Sequence, residues 1–228
     1  MLAKKEIMKQ ENSPEAILTT EKLVAGYGET KIIDEISVKF YRGKINALIG
    51  TNGAGCSTLL KAIAGIIPVI SGKILFEGKK LTGTQEERYK KGICFVPERK
   101  AIFERLSVKE NLELVGRKKN YDEIFALFPD LKKKWKLPAW KLSGGQKQMI
   151  AISQGILSDK KLLLIDNPVK GLYKKIAEDL LLFLKRLAKS KNAAIVLKAD
   201  KIDTVERIAG TFYFLNAGKI IKGGNNAC

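Results

Sequence analysis

The strongest constraint on the fold is the stretch Gly50-Thr-Asn52-Gly53-Ala-Gly55-Cys56-Ser57-Thr58, which follows an apolar run and precedes a helical one. Ile45 to Ile49 reads as a buried strand. Leu59, Leu60, Ile63 and Ala64 recur at helical spacing until Gly65 stops the helix. Strand, glycine loop and helix in that order turn bare backbone N–H groups toward an anion, because glycine reaches conformations closed to other residues and a helix N-terminus adds a favourable dipole. The spacing matches G-x-x-x-x-G-K-[ST] at every fixed position but one. There, Cys56 stands in place of the lysine. The loop therefore reads as a phosphate cradle without its cation, in which Ser57 offers a hydroxyl of the kind Mg²⁺ takes. A thiol cannot make the charge-assisted hydrogen bond of a lysine, worth ~1.5–3 kcal/mol, so phosphate binding should weaken about 10- to 100-fold. A thiol at a helix N-terminus can also be acidified and reactive, and that reading of Cys56 stays open.

Two further strings carry chemistry. Leu162-Leu-Leu-Ile-Asp166-Asn167-Pro168 reads as a buried strand delivering a carboxylate to its carboxyl end, where Asp166 can face Mg²⁺ and phosphates. Leu142-Ser143-Gly144-Gly145-Gln146-Lys147-Gln148 precedes a helical run and can present a hydroxyl and bare N–H groups to phosphate oxygens.

Around these motifs the chain alternates strand and helix patterns. LLLID, an amphipathic IAEDLLLFLKRLAK, AAIVL and a closing hairpin in TFYFLNAGKII imply a mostly parallel sheet covered on both faces, an α/β fold. Residues 84–160 are mostly helical in pattern, broken by Pro97, Pro129 and Pro138, and read as an inserted helical subdomain. Residues 1–16 are polar and lack periodicity, which predicts a disordered tail.

Composition narrows the partners. The sequence has no histidine, so the usual general base and the commonest imidazole metal ligand are missing. Cys56, Cys94 and Cys228 lack CxxC or CxxH spacing, which predicts reduced thiols and no structural zinc. A formal charge of +18 invites a nucleic-acid reading. Yet the lysines are scattered, with short runs such as Lys132 to Lys134 and Lys174 to Lys175, so the charge reads as solvated surface and nucleic acid is not the expected partner. No stretch reaches the roughly 18 apolar residues of a membrane span. The opening MLAKKEIMKQENSPEA puts charges where a signal peptide has its apolar core, so the chain is expected in the cytoplasm.

In this order, the loop, the Ser143 string and the Asp166 strand resemble the Walker A, signature and Walker B motifs of ABC transporter nucleotide-binding domains. The resemblance covers about residues 17–224, with 225–228 left as a tail. It implies a P-loop NTPase core with an antiparallel β subdomain beside the helical insertion, ATP and Mg²⁺ as ligands, and a dimer in which one chain's loop and the other's signature sandwich each ATP. VPERKAIFERLSVKENLEL (96–114) is similar to the VPEGR-x-IFP-x-LTV-x-ENL string of branched-chain amino acid importers, and FALFPDLKKK resembles their next helix. The chain thus looks like the smaller ATP-binding subunit of a branched-chain amino acid or urea importer.

Carried over residue by residue, the resemblance puts Tyr27 on the adenine, Gly50, Asn52, Gly53, Gly55, Cys56, Ser57 and Thr58 around the phosphates, and Ser57, Asp166 and Glu98 on the metal side. Ser143, Gly144, Gly145 and Gln146 would act in trans. Glu98 takes the position that senses Mg²⁺ and water. Asn167 replaces the glutamate that polarises water, and an amide cannot accept the proton. Ala199 stands at the switch position, where most of the family has histidine and the look-alike subfamily often glutamine. The Gly171-Leu172 pair of the inter-subunit loop is kept, among bulky or charged neighbours.

The implied function is an ATP-binding subunit impaired at its own site, pairing with a second ATP-binding subunit, in a hetero- or homodimer, and with transmembrane permease subunits on the inner face of the membrane. Two alternatives stay open: slow but genuine hydrolysis at its own loop, and a non-transport scaffold or regulator.

Overall fold

The computed structural model describes residues 16–99, 102–116 and 120–225. Most of the expected N-terminal tail lies outside the described residues, as do 226–228. The expected tails overlap the described structure at single residues: Ala16 opens the first strand and Asn225 closes the last.

Two sheets share the fold. The antiparallel one has β1 (Ala16–Tyr27) hydrogen-bonded to β2 (Thr30–Ile36), β3 (Lys39–Tyr41) and β5 (Val69–Phe76), and β5 also carries the short β6 (Lys79–Lys80). The second runs in the order β11-β10-β4-β9-β8-β7. Here β4 (Ile45–Ile49), β7 (Ile93–Val96), β8 (Leu162–Ile165), β9 (Ala194–Ala199) and β10 (Ala209–Asn216) are parallel to their neighbours, and β11 (Lys219–Asn225) closes the edge as an antiparallel hairpin with β10. The mostly parallel sheet expected from strand–helix alternation is present, with the antiparallel sheet beside it.

Every residue of β4, β8 and β9 is buried, which is why these strands read as apolar runs without alternation. Their side chains nevertheless alternate between two cores. Leu48, Leu164, Ala194 and Val196 pack with Leu59, Leu60 and Ile63 of α1 (Cys56–Ala64) and with Leu18 and Leu23 of the antiparallel sheet. Ala47, Ile49, Ile165 and Leu197 pack instead with Met149 and Ile150 of α6 (Gly144–Leu157) and Leu180 and Leu184 of α7 (Lys174–Lys191). Helix α1 is thus clamped between the sheets and cannot shift without opening a core.

The last turn of α1 is held by a charge. Arg88, from α2 (Gln85–Lys91), is buried and donates from Nη1 to the carbonyls of Ala62 and Ile63 at 2.7 and 2.9 Å, and from Nε to Gly83 O at 3.0 Å. A cation there adds a donor to the carbonyls of the last turn, of which Ala62 O also accepts from the capping Gly65 N at 3.2 Å, and meets the negative end of the helix dipole.

Residues 84–160 contain α2, α3 (Val108–Glu113), α4 (Asp122–Leu127), α5 (Pro129–Lys133) and α6, and also β7, a strand of the parallel sheet. A four-residue apolar run such as Ile93–Val96 cannot be told from a helix fragment by periodicity, so this strand was hidden within the helical pattern.

Candidate functional site

Neighbouring parallel strands β4, β9, β8 and β7 end at the same side of the sheet. Their carboxyl ends carry the Gly50–Thr58 loop, Ala199, Asp166 and, two residues beyond β7, Glu98. Ligands of open α/β sheets bind at such carboxyl ends.

The loop is tied down from both sides. Gly50 donates to the carbonyl of Ala199 at 3.1 Å, Ala54 to Thr51 O at 3.0 Å, and Gly218 to Ala54 O at 3.0 Å. Gly55 caps α1 at φ +103°, a left-handed conformation in which an added Cβ would also strike Ile33. No side chain caps this helix start. Its first N–H groups are left to an anion. Thr51, Asn52 and Gly53 are exposed, Ser57 is half-buried, and Thr58 is buried. Cys56 points inward at 2% exposure, and burial pushes its thiol up to about 12. The acidified, reactive thiol considered from the sequence is therefore corrected. Desolvation outweighs both the helix terminus and a nearby lysine, Lys198.

Ser57 Oγ donates to Asp166 Oδ1 at 3.1 Å, joining the two oxygen groups expected on the metal side. The structure also brings Glu98 to this cluster, through a residue the motifs did not flag. Lys198 Nζ lies 3.7 Å from Asp166 Oδ1, 4.0 Å from Glu98 Oε2 and 3.5 Å from Asp200 Oδ1, with its side chain only 6% exposed. Lys170 Nζ donates to Glu98 Oε1 at 2.7 Å, and this contact, above all, holds the Glu98 carboxyl below its usual range. Asn167 adopts a left-handed φ of +53° and donates from Nδ2 to Asp200 Oδ2 at 3.3 Å. Ala199 is buried and brings no polar side chain to the site.

Tyr27 ends β1 at 45% exposure, and its hydroxyl accepts from Lys61 Nζ of α1 at 3.2 Å. The aromatic ring and the loop thus flank the same helix.

The Ser143 turn is built differently. Ser143 caps α6 by accepting from Gln146 N at 3.3 Å, while Gln146 Oε1 accepts from Ser143 N at 3.2 Å, a reciprocal capping box. Gln146 Nε2 donates to Asp130 Oδ2 of α5 at 3.1 Å. A Cβ on Gly145 would collide with the carbonyl oxygen of Gly171, whereas one on Gly144 would meet open space. Among the described residues, no hydrogen bond or ion pair found links Ser143 to Gln146 with the Gly50–Thr58 loop.

A family model described as ABC transporter matches residues 33–170, from β2 past Asp166. This chain belongs to the ABC transporter family. It is 34% identical over 213 residues to the high-affinity branched-chain amino acid transport ATP-binding protein BraG of Pseudomonas aeruginosa, covering 90% of this chain and 91% of that one. A probable branched-chain amino acid transport ATP-binding protein, LivF of Archaeoglobus fulgidus, is 31% identical over 91% of this chain and 92% of its own length. Relatives named for sulfate/thiosulfate and molybdenum import match as well, over little more than half their own lengths. A solved ATP-binding subunit of an ABC transporter superposes with a TM-score of 0.82 at 28% identity, covering 92% of this chain and 90% of that one.

Family members bind ATP, typically with Mg²⁺, so the fit of a divalent ion to this ABC chain can be judged from its donors. Ser57 and Asp166 supply suitable oxygens, but the ammonium of Lys198 already stands between Asp166 and Glu98. A second cation a few ångströms away would be repelled by it. The site as folded suits a divalent ion poorly. The signal for Lys198 was a lysine inside the otherwise apolar strand pattern AIVLKA.

Proposed function

We propose that this chain is an ATP-binding subunit of a branched-chain amino acid importer that completes the ATP site of a second ATP-binding subunit with Ser143, Gly144, Gly145 and Gln146. Its own loop, with Cys56, binds nucleotide weakly. The observation that carries this reading is the contrast between the two turns. The Ser143 turn keeps its capping box and its bare glycines, while the loop holds a buried neutral thiol where charge is needed.

At its own site the chain would contribute backbone donors around the phosphates, the Ser57 hydroxyl and the Asp166 carboxylate, and the exposed ring of Tyr27 supports a stacking role on the base. The positions that the family uses to take or steer the proton of an attacking water carry no free base here. Asn167 is an amide, Ala199 is apolar and Glu98 is engaged by Lys170. The likeness to BraG and LivF supports the amino-acid cargo. No helix of the described residues is long and apolar enough to cross a membrane, so attachment to the inner face would run through permease subunits.

Co-expression with the second ATP-binding subunit and the permeases, followed by ATPase measurement, tests the reading. Ser143→Ala should abolish hydrolysis by the complex, and deletion of the chain should stop uptake of branched-chain amino acids. Unchanged hydrolysis in Ser143→Ala overturns the role in trans. Unchanged leucine, isoleucine and valine uptake overturns the cargo.

A further inference from the structure

Lys198 lies on the face of β9 that it shares with Ala194 and Val196, the face packed toward α1, at the end of that row nearest the loop. A buried ammonium persists only where opposite charge surrounds it. Here that charge comes from the ends of β7, β8 and β9: Glu98, Asp166 and Asp200, all within 4.0 Å of Nζ. Two of these, Asp166 and Glu98, are the carboxylates expected to face a metal ion. The ammonium is near enough to act electrostatically on the Cys56 thiol, at the position where the loop's own lysine would begin. The charge missing from the loop is thus present one strand away, anchored from beneath.

Resting on the reading that the loop holds nucleotide, we propose that Lys198 is the resident cation of this site. It offsets part of the carboxylate charge of Glu98, Asp166 and Asp200 that a triphosphate would otherwise face and occupies Asp166 and Glu98 in place of a divalent ion, so that nucleoside triphosphate binds here without Mg²⁺. The ligand class stays that of the family. What changes is the metal requirement, which separates this chain's site from that of a partner with an intact loop.

Two titrations of the full chain test this. ATP is titrated calorimetrically in Mg²⁺ and in excess EDTA, and Mn²⁺ is titrated into the nucleotide-free chain with free Mn²⁺ followed by electron paramagnetic resonance. In the wild type the two ATP affinities should agree within about threefold, and Mn²⁺ should stay free. Lys198→Gln should lose at least about tenfold of its ATP affinity in EDTA, regain it in Mg²⁺, and bind one Mn²⁺. Lys198→Arg should keep the wild-type pattern.

Wild-type ATP binding that collapses in EDTA overturns the proposal. So does Mn²⁺ binding by the wild type that Asp166→Asn removes, and both are read without relying on the folding of a Lys198 variant. ATP binding in neither condition overturns it too, yet leaves the role of Ser143 in trans standing, because that role is read from the partner's hydrolysis.

Discussion

Lys198 Nζ sits 3.7 Å from Asp166 Oδ1, and both side chains are more than nine-tenths buried. Removing one member of such a pair strands the other charge in a poorly solvated place. Asp166→Asn should therefore destabilise the fold by about 2–4 kcal/mol in denaturant unfolding, with Glu98 and Asp200 keeping the loss below that of an isolated pair. Asp166→Asn combined with Lys198→Met should cost less than the two single losses summed, because the variants share one interaction. Additive losses would show that the pair is not coupled.

Arg88 offers a second stability test at the other end of α1. Its guanidinium is buried, and its described partners are the carbonyls of Ala62, Ile63 and Gly83. Arg88→Met keeps much of the volume but takes the side-chain donor from Ile63 O and Gly83 O, at about 1–3 kcal/mol for each buried group left unsatisfied, while Ala62 O still accepts from Gly65 N at 3.2 Å. A loss of about 2–4 kcal/mol is expected, allowing for the relief of burying a charge. A midpoint within error of the wild type would mean that water replaces the guanidinium there.

Cys56 should be chemically silent in the folded protein. With its thiol pushed up to about 12 by burial, the thiolate is scarce at pH 8 and alkylation by iodoacetamide should be slow. Peptide mass spectrometry after native labelling should find position 56 unmodified, and after labelling in denaturant fully modified. The sign of the linkage follows from the raised value. The stabilising contribution of the protonated thiol is complete below the unfolded cysteine value near ~8.5 and is lost as pH rises from there toward about 12.

Glu98 titrates in the opposite sense. Its carboxyl is held below the usual range, chiefly by the hydrogen bond from Lys170. Its contribution to stability is therefore present above the unfolded glutamate value of ~4.3 and is lost as pH falls through the depressed folded value. Lys170→Met should flatten the acid limb of a stability–pH curve, and an unchanged limb would contradict the pairing.

What could be read from the sequence was what is local. The Gly50–Thr58 loop, the helix ending at Gly65, Asp166 at the close of LLLI and the Ser143 turn each depend on residues within a few positions, and each lies where its pattern placed it. Strand β7 was obscured because it is short and has no period of its own. The partners of Lys198 and Arg88 were illegible for another reason, although a lysine within the apolar run AIVLKA was itself a visible signal. Lys198 is met by residues 98 and 166 as well as nearby Asp200, and Arg88 by the end of a helix some 25 residues earlier, so only assembly of the sheet reveals them. The fate of Cys56 likewise turned on burial between two sheets, which outweighs the helix terminus that local pattern emphasised.

The division of labour between the two turns is most directly tested by altering each separately in the assembled transporter and measuring its ATP hydrolysis. Ser57→Ala with Tyr27→Ala, which touch this chain's loop site and leave the buried Lys198–Asp166 pair intact, should leave hydrolysis within about twofold of wild type, whereas Ser143→Ala should lower it by at least about 100-fold. Loss of hydrolysis in the loop variant, with Ser143→Ala near wild type, would contradict the account and place turnover at this chain's own loop.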